Sequence, residues 1–410
     1  MAMKQTQTKL FDFSDVGLDF CAGSKNLFPD RFKRMLALGY NSQTVATVSV
    51  LGNQVTFEYG VSHGYVAERV LKVSSGPLAA IHGGEFVIDS VTATSLTMTI
   101  DDAPISISGG FATRIAPLGW SLEYENANIH IYKMKHSDES DRFVRFCFQN
   151  NTSHRNAIAV CVGKTWDSDT GKINDETALQ STSTVNTPNV IDLPRWDFSY
   201  TPSSAHNDWS YSQGFSIYGK GLIIGSPYHV IMLNRNSNKL CQLNAILPVS
   251  TYEYEQLKYP VILCNLNDKL TNVEGYAGSI FWGDYRGAAF IGNTRFRFDL
   301  GAGNNLLANP IKANNSILPS NYDSFNTTTC IPIQLYEYVS KQFVGFCIGM
   351  YLAMFGSDAI APETTSMPLK TSDIDLNSLV YLQDASGVTQ KNNATFVAIP
   401  VEKIKNAENL

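Results

Sequence analysis

The sequence is poor in charge. Only 17% of its 410 residues are Asp, Glu, Lys or Arg, and 31 basic residues face 37 acidic ones, for a net charge of −6. A protein that grips duplex nucleic acid draws its affinity from Lys and Arg on phosphates, so nucleic acid is not an expected direct partner. Long apolar runs are missing too. The longest, Phe343 to Phe355, has 13 residues with two glycines, where a membrane helix needs about 20. It reads as buried core, and no membrane partner is expected. Residues Met1 to Leu10 lack the apolar centre of a secretory signal, which predicts a protein that stays in the cytoplasm where it is made. The Asn-x-Ser/Thr triplets at Asn150, Asn151, Asn314, Asn326 and Asn393 then carry no glycosylation signal. The seven cysteines (Cys21, Cys147, Cys161, Cys241, Cys264, Cys330 and Cys347) include no CxxC and no Cys/His pair at zinc spacing. They read as reduced core residues. The seven histidines form no HxH or HExxH, so neither a catalytic metal nor a cofactor is expected.

What the sequence has is apolar and aromatic content, 44% and 11%, which excludes a fully disordered chain. Its apolar residues alternate with polar ones. Val55, Phe57 and Tyr59 interleave with Gln54, Thr56 and Glu58, and Gly52-Asn53 joins them to Val48-Ser49-Val50 in a predicted hairpin with a primed turn. Phe86-Val87-Ile88 and the alternating Leu96, Met98 and Ile100 supply further strands. Strands at 142–148, 157–162, 222–224, 230–233, 259–264 and 394–401 continue the style, separated by polar loops, notably 165–209. One short helix is predicted over 30–38, started by Pro29-Asp30, with Phe32, Met35 and Leu36 on one face and Gly39 as its stop.

The expected fold is mostly β with few helices: a small N-terminal β barrel or sandwich followed by a larger antiparallel β-sandwich region. An extended arm with the short helix occupies 1–40, with the arm itself over 1–28, and the small barrel 41–114. The sandwich with long loops fills 115–300. A C-terminal β region over 301–410 either stands apart or completes the sandwich.

Several short motifs invite a chemical reading. Gly60-Val61-Ser62-His63-Gly64 satisfies G-x-S-x-G, with His82-Gly83-Gly84 nearby. A nucleophile elbow needs a helix after the serine and the oxyanion loop before it. Here the order is reversed and no helix follows, so a turn between strands is the expected reading and a hydrolase at Ser62 the remote one. Gly214 to Lys220 approaches a phosphate loop, but Gly221 replaces the Ser or Thr that holds Mg²⁺ and a strand follows. Asp167-Ser168-Asp169-Thr170-Gly171 with Asn174, Asp175 and Glu176 gathers hard oxygen donors, yet Ala178 stands where a Ca²⁺ loop needs its bidentate glutamate. A solvated loop is the default there and an irregular Ca²⁺ site the alternative. Trp166, Trp196, Trp209 and Trp282 read mainly as core or subunit contacts. Trp196, Trp209 and Tyr211 on one exposed surface would instead suit bacterial surface glycan. No catalytic, cofactor or metal residue is assigned.

From Gln54 to Asp101 the chain resembles a small β module recurrent in structural proteins of tailed bacteriophages. The resemblance is carried by Val55-Thr56-Phe57, His63-Gly64-Tyr65, Val70-Leu71-Lys72-Val73, Gly84-Glu85-Phe86-Val87-Ile88-Asp89-Ser90-Val91 and Leu96-Thr97-Met98-Thr99-Ile100. Glu68 stands where such modules carry a glycine. Ala116-Pro117-Leu118-Gly119-Trp120, Phe143-Val144-Arg145-Phe146 and Phe281-Trp282-Gly283-Asp284-Tyr285 are similar to later stretches of larger phage virion proteins. The resemblance implies a non-enzymatic virion component of the tail, baseplate or neck, partnered by copies of itself and other virion proteins. A head-decoration or receptor-binding role is the alternative. An arm of the kind at 1–28 would gain order by crossing onto a neighbour.

Overall fold

Gly39 ends the first helical segment because its φ of +76° opens a conformation that side chains disfavour. The segment before it is the one α-helix among the described residues, Phe28–Lys33, which widens into a π-helical turn over Arg34–Leu38. Phe28, Phe32, Met35 and Leu36 are buried along it, as their spacing predicts. The computed structural model describes residues 8–20, 25–148, 152, 155, 157–180, 193–198, 221–235, 241–264, 286–299, 331–354, 368–373, 378–384 and 395–401. Within them the protein is mostly β, and every strand pair is antiparallel.

After Gly39 the strands close into a small barrel. Tyr40–Thr44 and Thr47–Leu51 are halves of one strand bent at Val45-Ala46. There the N–H of Val45 reaches Phe111 O at 3.0 Å and that of Ala46 reaches Glu58 O at 2.8 Å, on opposite neighbours. Glu85–Val87 and Ser90–Val91 are likewise two halves, joined by Ile88, which donates to Arg69 O, and Asp89, which donates to Thr97 O. The hydrogen-bonded circuit therefore runs from the first bent strand through Gln54–Glu58, Ser95–Thr99, the second bent strand, Val70–Val73 and Ala112–Ile115, and returns to Tyr40. Closure leaves no open edge in the ring. Val55, Phe57, Leu71, Leu96 and Met98 fill its interior.

A five-stranded sheet follows: Ser121–Asn126, Ile129–Lys135, Asp141–Phe148, Ala157–Gly163 and Arg195–Asp197. Its Tyr132, Met134, Val144, Phe146, Phe148, Ile158 and Trp196 pack against Ile223, Val230, Met232 and Ile246 of a second, 13-stranded sheet. This is the sandwich that the period-two pattern implied. The opposite face of the same large-sheet strands, Leu222, Ile224, Ile231, Leu233, Leu243 and Ala245, builds another core with Ile333, Leu335, Met350, Val397 and Ile399. Both faces of these strands are buried.

The large sheet also closes on itself. Cys241–Leu247 passes through Pro248 into Val249–Thr251, which pairs with Phe343–Met354 on the far side of a circuit through Val261–Cys264, Arg286–Ile291, Thr294–Asp299 and Ile331–Glu337. Gly345 permits that crossing, since a Cβ there would lie 2.1 Å from Ser250 O. Phe343–Met354 alternates buried Val344, Cys347, Met350 and Leu352 with half-buried Phe346, Ile348 and Tyr351. The apolar run is thus buried along one face and half-buried along much of the other, where Ala353 is also buried. Thr395–Val401, Ser378–Asp384 and Leu369–Asp373 extend the sheet beyond it. The described strands after residue 330 belong to the same sheet, and Thr294–Asp299 pairs directly with Ile331–Glu337 across the expected division at 300.

The N-terminal segment, expected as an extended arm that gains order by lying on something else, lies on its own chain. Lys9–Asp12 is a strand on the edge of the large sheet, paired with Gly221–Ser226. Leu10, Phe11, Phe13, Leu18 and Phe20 are at most 1% exposed. Their burial, roughly 1.5–3 kcal/mol for each large side chain, gives the segment an anchor within its own chain. Residues 1–7 and 21–24 of the expected arm lie outside the described residues. The segment is tied to the barrel by Asp15, whose carboxylate accepts Arg69 Nε at 2.7 Å and Nη2 at 3.0 Å, Tyr40 Oη at 2.8 Å and the Asp12 N–H at 3.1 Å. Burial alone would lower the Arg69 pKa, and the Asp15 charge overrides it and raises it. Nearby, Lys9 Nζ meets Glu85 at 2.8 Å and Pro117 O at 2.5 Å.

Breaking the Asp15 pair strands a guanidinium that is 7% exposed. Asp15→Ala is expected to lower the unfolding free energy by about 3–5 kcal/mol, and Asp15→Ala with Arg69→Met to recover much of that loss. Urea denaturation of the three proteins checks it; equal losses in single and double variants would contradict the burial argument.

Candidate functional site

The turn at residues 60–65 is the one place where a catalytic motif meets described structure. It joins Gln54–Glu58 to Val70–Val73 and is followed by no helix. Ser62 is exposed, whereas His63 is 2% exposed and both its ring nitrogens are engaged. Nδ1 accepts the Tyr65 N–H at 2.9 Å, which places the ring proton on Nε2, 3.0 Å from Ser95 O. The ring lies between Tyr59 and Tyr65, at centroid distances of 5.0 and 5.2 Å. Both tyrosine hydroxyls converge on Thr113 Oγ1, at 2.9 and 3.0 Å. Burial raises both phenol pKa values, that of Tyr65 to about 12. Asn41 Nδ2 holds the His63 carbonyl at 2.9 Å.

This arrangement fastens the barrel wall. A base for Ser62 would need a free imidazole nitrogen aimed at the hydroxyl, and His63 offers none. Gly64, at φ +67°, lies against the Val16 side chain, about 3.0 Å from where a Cβ would stand. His82-Gly83-Gly84 forms a tight turn before Glu85–Val87, and a Cβ on Gly84 would meet Val73 O at 2.2 Å. These glycines serve chain packing. Glu68, at the position where the resembled modules carry glycine, has φ +69°.

The acidic stretch is a hairpin of Trp166–Asp167 and Lys172–Ile173. Asp167 Oδ1 caps the Asp169 N–H at 2.8 Å. Asp175 turns inward and accepts the N–H groups of Lys164 and Thr165 and the Tyr259 hydroxyl, at 2.8–3.1 Å. Its oxygens fasten the hairpin to the sheet. Among the described residues no three His, Cys, Asp or Glu side chains come together in a metal-binding group. The hairpin covers Arg145, whose Nε donates to Gly171 O at 2.7 Å.

The expected aromatic surface does not assemble around Trp196. That residue is fully buried, donates its indole N–H to Leu263 O at 2.9 Å and packs on Phe146. Its position in the inward-facing row of Arg195–Asp197 directs it into the core. Trp209, Tyr211, Trp282, the near phosphate loop 214–220 and Cys21 and Cys330 lie outside the described residues. The strand expected after that loop is Gly221–Ser226. Cys147, Cys161, Cys264 and Cys347 are buried in the core and are not joined in disulfides. Trp166 is half-buried against Tyr124 at 5.8 Å.

An aromatic rim that no sequence motif marks lies on the large sheet. Tyr252 and Tyr254 are 51% and 59% exposed, with centroids 6.4 Å apart. The Tyr252 N–H donates to Val344 O, beside the turn that carries Tyr338 and the 82% exposed Val339. Arg295 and Lys341 lie 4.1 and 4.7 Å from the Tyr338 ring centroid. The signal available was Tyr-x-Tyr at the end of an alternating strand. A second Ser–His contact also went unread: Ser226 Oγ lies 2.8 Å from His229 Nδ1 and accepts the Tyr228 N–H, in a buried turn.

No helix among the described residues is long and apolar enough to cross a membrane. No protein-family model matches the chain, and no curated protein matches it. Among solved structures a phage phi92 endosialidase is weakly similar, at 8% identity and a TM-score of 0.16, with 89% of this chain covered. The chain spans about half of that protein's length, 52%.

Two outcomes follow from this geometry. Ser62→Ala should leave stability within about 0.5 kcal/mol of the parent, while His63→Ala, which removes two buried hydrogen bonds and a packed ring, should cost roughly 2–4 kcal/mol. Thermal and urea unfolding of both variants would show it, and the reverse ranking would refute it. The second concerns pH. Burial lowers His130, His136 and His229 from 6.5 to about 4. Below pH 6.5 the unfolded chain therefore binds protons that the folded chain refuses. Stability should be fully present above that pH and decline toward pH 4, by up to about 3 kcal/mol per histidine. Urea midpoints between pH 7.5 and 4.5 measure the decline, and His130→Phe should flatten it.

Proposed function

We propose that this chain is a non-enzymatic structural protein of a tailed-bacteriophage virion, a tail, baseplate or neck component that works by subunit assembly. One observation carries the reading: the residues of the phage-like module serve architecture. His63 fastens two strands, Gly64 and Gly84 admit close neighbours, and Phe57, Leu96 and Met98 fill a barrel. The barrel and its surroundings also expose Val16, Leu51, Val61, Val66 and Ile105, the last at 95%. Scattered singly, such side chains are ordinary on a protein surface, so the reading rests on the module itself. Assembly would place the protein in the virion, partnered by its own copies and by other virion proteins.

A second reading, head decoration or receptor binding to bacterial surface glycan, is favoured by the Tyr252, Tyr254 and Tyr338 rim. Exposed rings with a polar edge suit sugar faces as well as protein ones.

Mass spectrometry of density-banded particles, with immunogold labelling against this chain, tests both. A small fixed number of gold particles at the tail or neck is the expected result. Dense labelling of the head would favour decoration, and absence from banded particles would overturn the structural reading.

A further inference from the structure

In the large sheet one strand arrives from the opposite end of the chain. All other described strands of that sheet lie between residues 221 and 401, whereas Lys9–Asp12 pairs with Gly221–Ser226 about 210 residues away. Its register is Lys9 to Gly225, Leu10 to Ile224, Phe11 to Ile223 and Asp12 to Leu222, and Phe13 extends it with an N–H bond to Gly221 O at 3.1 Å. Leu10 enters one core and Phe11 and Phe13 the other. Beyond the strand, Asp15 takes the Arg69 fork and the Tyr40 hydroxyl, and Gly17 O accepts Arg34 Nη1 at 2.5 Å.

From this juxtaposition we infer that residues 8–20 are an exchangeable strap: in the assembled protein the segment of one copy occupies the slot of a second copy. The inference rests on the assembly reading above and names its partner. The ladder of the strand and the Arg69 and Tyr40 bonds of Asp15 are made with residues distant in sequence, while its local bonds, such as that of the Asp12 N–H to Asp15, stay within the segment. A second copy offers the same Gly221–Ser226 edge, the same Arg69 and the same Tyr40. Exchange therefore conserves every one of these contacts, and its cost is confined to association. The slot is also selective. It requires a ladder in fixed register, two aromatic anchors and a carboxylate opposite a buried fork, a combination that an unrelated strand would not supply. Reciprocal exchange between two copies closes a two-fold dimer, and one-way exchange passed along several copies gives a ring or an open chain.

The test uses the full chain with Leu10→Cys and Ile224→Cys, a pair opposed in the ladder. After mild oxidation the product is resolved on a non-reducing denaturing gel. Exchange predicts bands at two or more chain masses holding about half of the protein, abolished by reductant and missing from each single variant. A product linked only within the monomer overturns the inference. Phe11→Cys with Ile223→Cys, opposed in the next register position, gives the same readout if the first pair folds poorly. Particle mass spectrometry stays independent: a chain that exchanges yet is absent from virions keeps the strap and loses the virion reading. A virion chain linked only internally does the opposite.

Discussion

The architecture turns on the buried pair of Asp15 and Arg69. One carboxylate holds together three parts of the chain that sequence keeps apart: the N-terminal segment, the barrel strand that begins at Val70, and the first barrel strand through Tyr40. Removing two charges from water is costly, and attraction between them repays this only where the remaining hydrogen-bond capacity is used. Here the fork is bidentate, and the other lone pairs meet a phenol and a backbone N–H. Burial first, and then the Asp15 charge, raises the Tyr40 phenol pKa well above its usual value, so the hydroxyl stays a donor. The pair contributes specificity: one register of the segment satisfies it.

Closure is the second constraint, and it acts on both halves of the molecule. A chain this rich in strands must dispose of edges, and it does so by bending strands across two rings, at Val45-Ala46 and at Pro248. The remaining edges carry charge. Ser121–Asn126 bears Glu123 and Glu125, which pair with Lys133 and Lys33. Leu369–Asp373 bears Lys370, which reaches Glu68 of the barrel. Together with Lys9 and Glu85, these contacts bring both outer strands of the large sheet against the barrel.

Local features were legible wherever one face of an element is wet. The hairpin around Gly52-Asn53, the strand Ser95–Thr99 and the helical segment ending at Gly39 all have one wet and one dry face, and their periods report it. Lys9–Asp12 was read as arm because both its faces are dry: Leu10 and Phe11 enter different cores, so no alternation appears. Ring closure was also illegible, since it depends on hydrogen bonds between residues far apart. Glu68 is an instructive middle case. Its backbone adopts the left-handed conformation that glycine tolerates best, at a cost of about 1–2 kcal/mol for a side chain. The Glu68 carboxylate reaches Lys370, which gives that side chain a use a glycine would forgo.

The histidines show how far pattern and chemistry can diverge. His63, His130, His136 and His229 are buried, and only His82 of the described set is exposed. A buried imidazole whose nitrogens meet a backbone carbonyl, a backbone N–H or a serine hydroxyl is a connector. At His63 the contacts that fix the tautomer deny the ring the open nitrogen that proton transfer requires, whereas His130 Nε2 and His136 Nδ1 are buried and make no hydrogen bond among the described residues. At residues 60–64 a five-residue match to a hydrolase motif is thus compatible with a ring that only joins strands. The exposed Tyr252 and Tyr254 invert that logic: no motif marks them, yet they stand more than half exposed, beside a Tyr338 ring that Arg295 and Lys341 cover. In a fold that closes most of its edges and buries four of its five described histidines, the exposed rings lie where a strand leaves the large sheet, and chemistry has to be read from contacts and not from motifs.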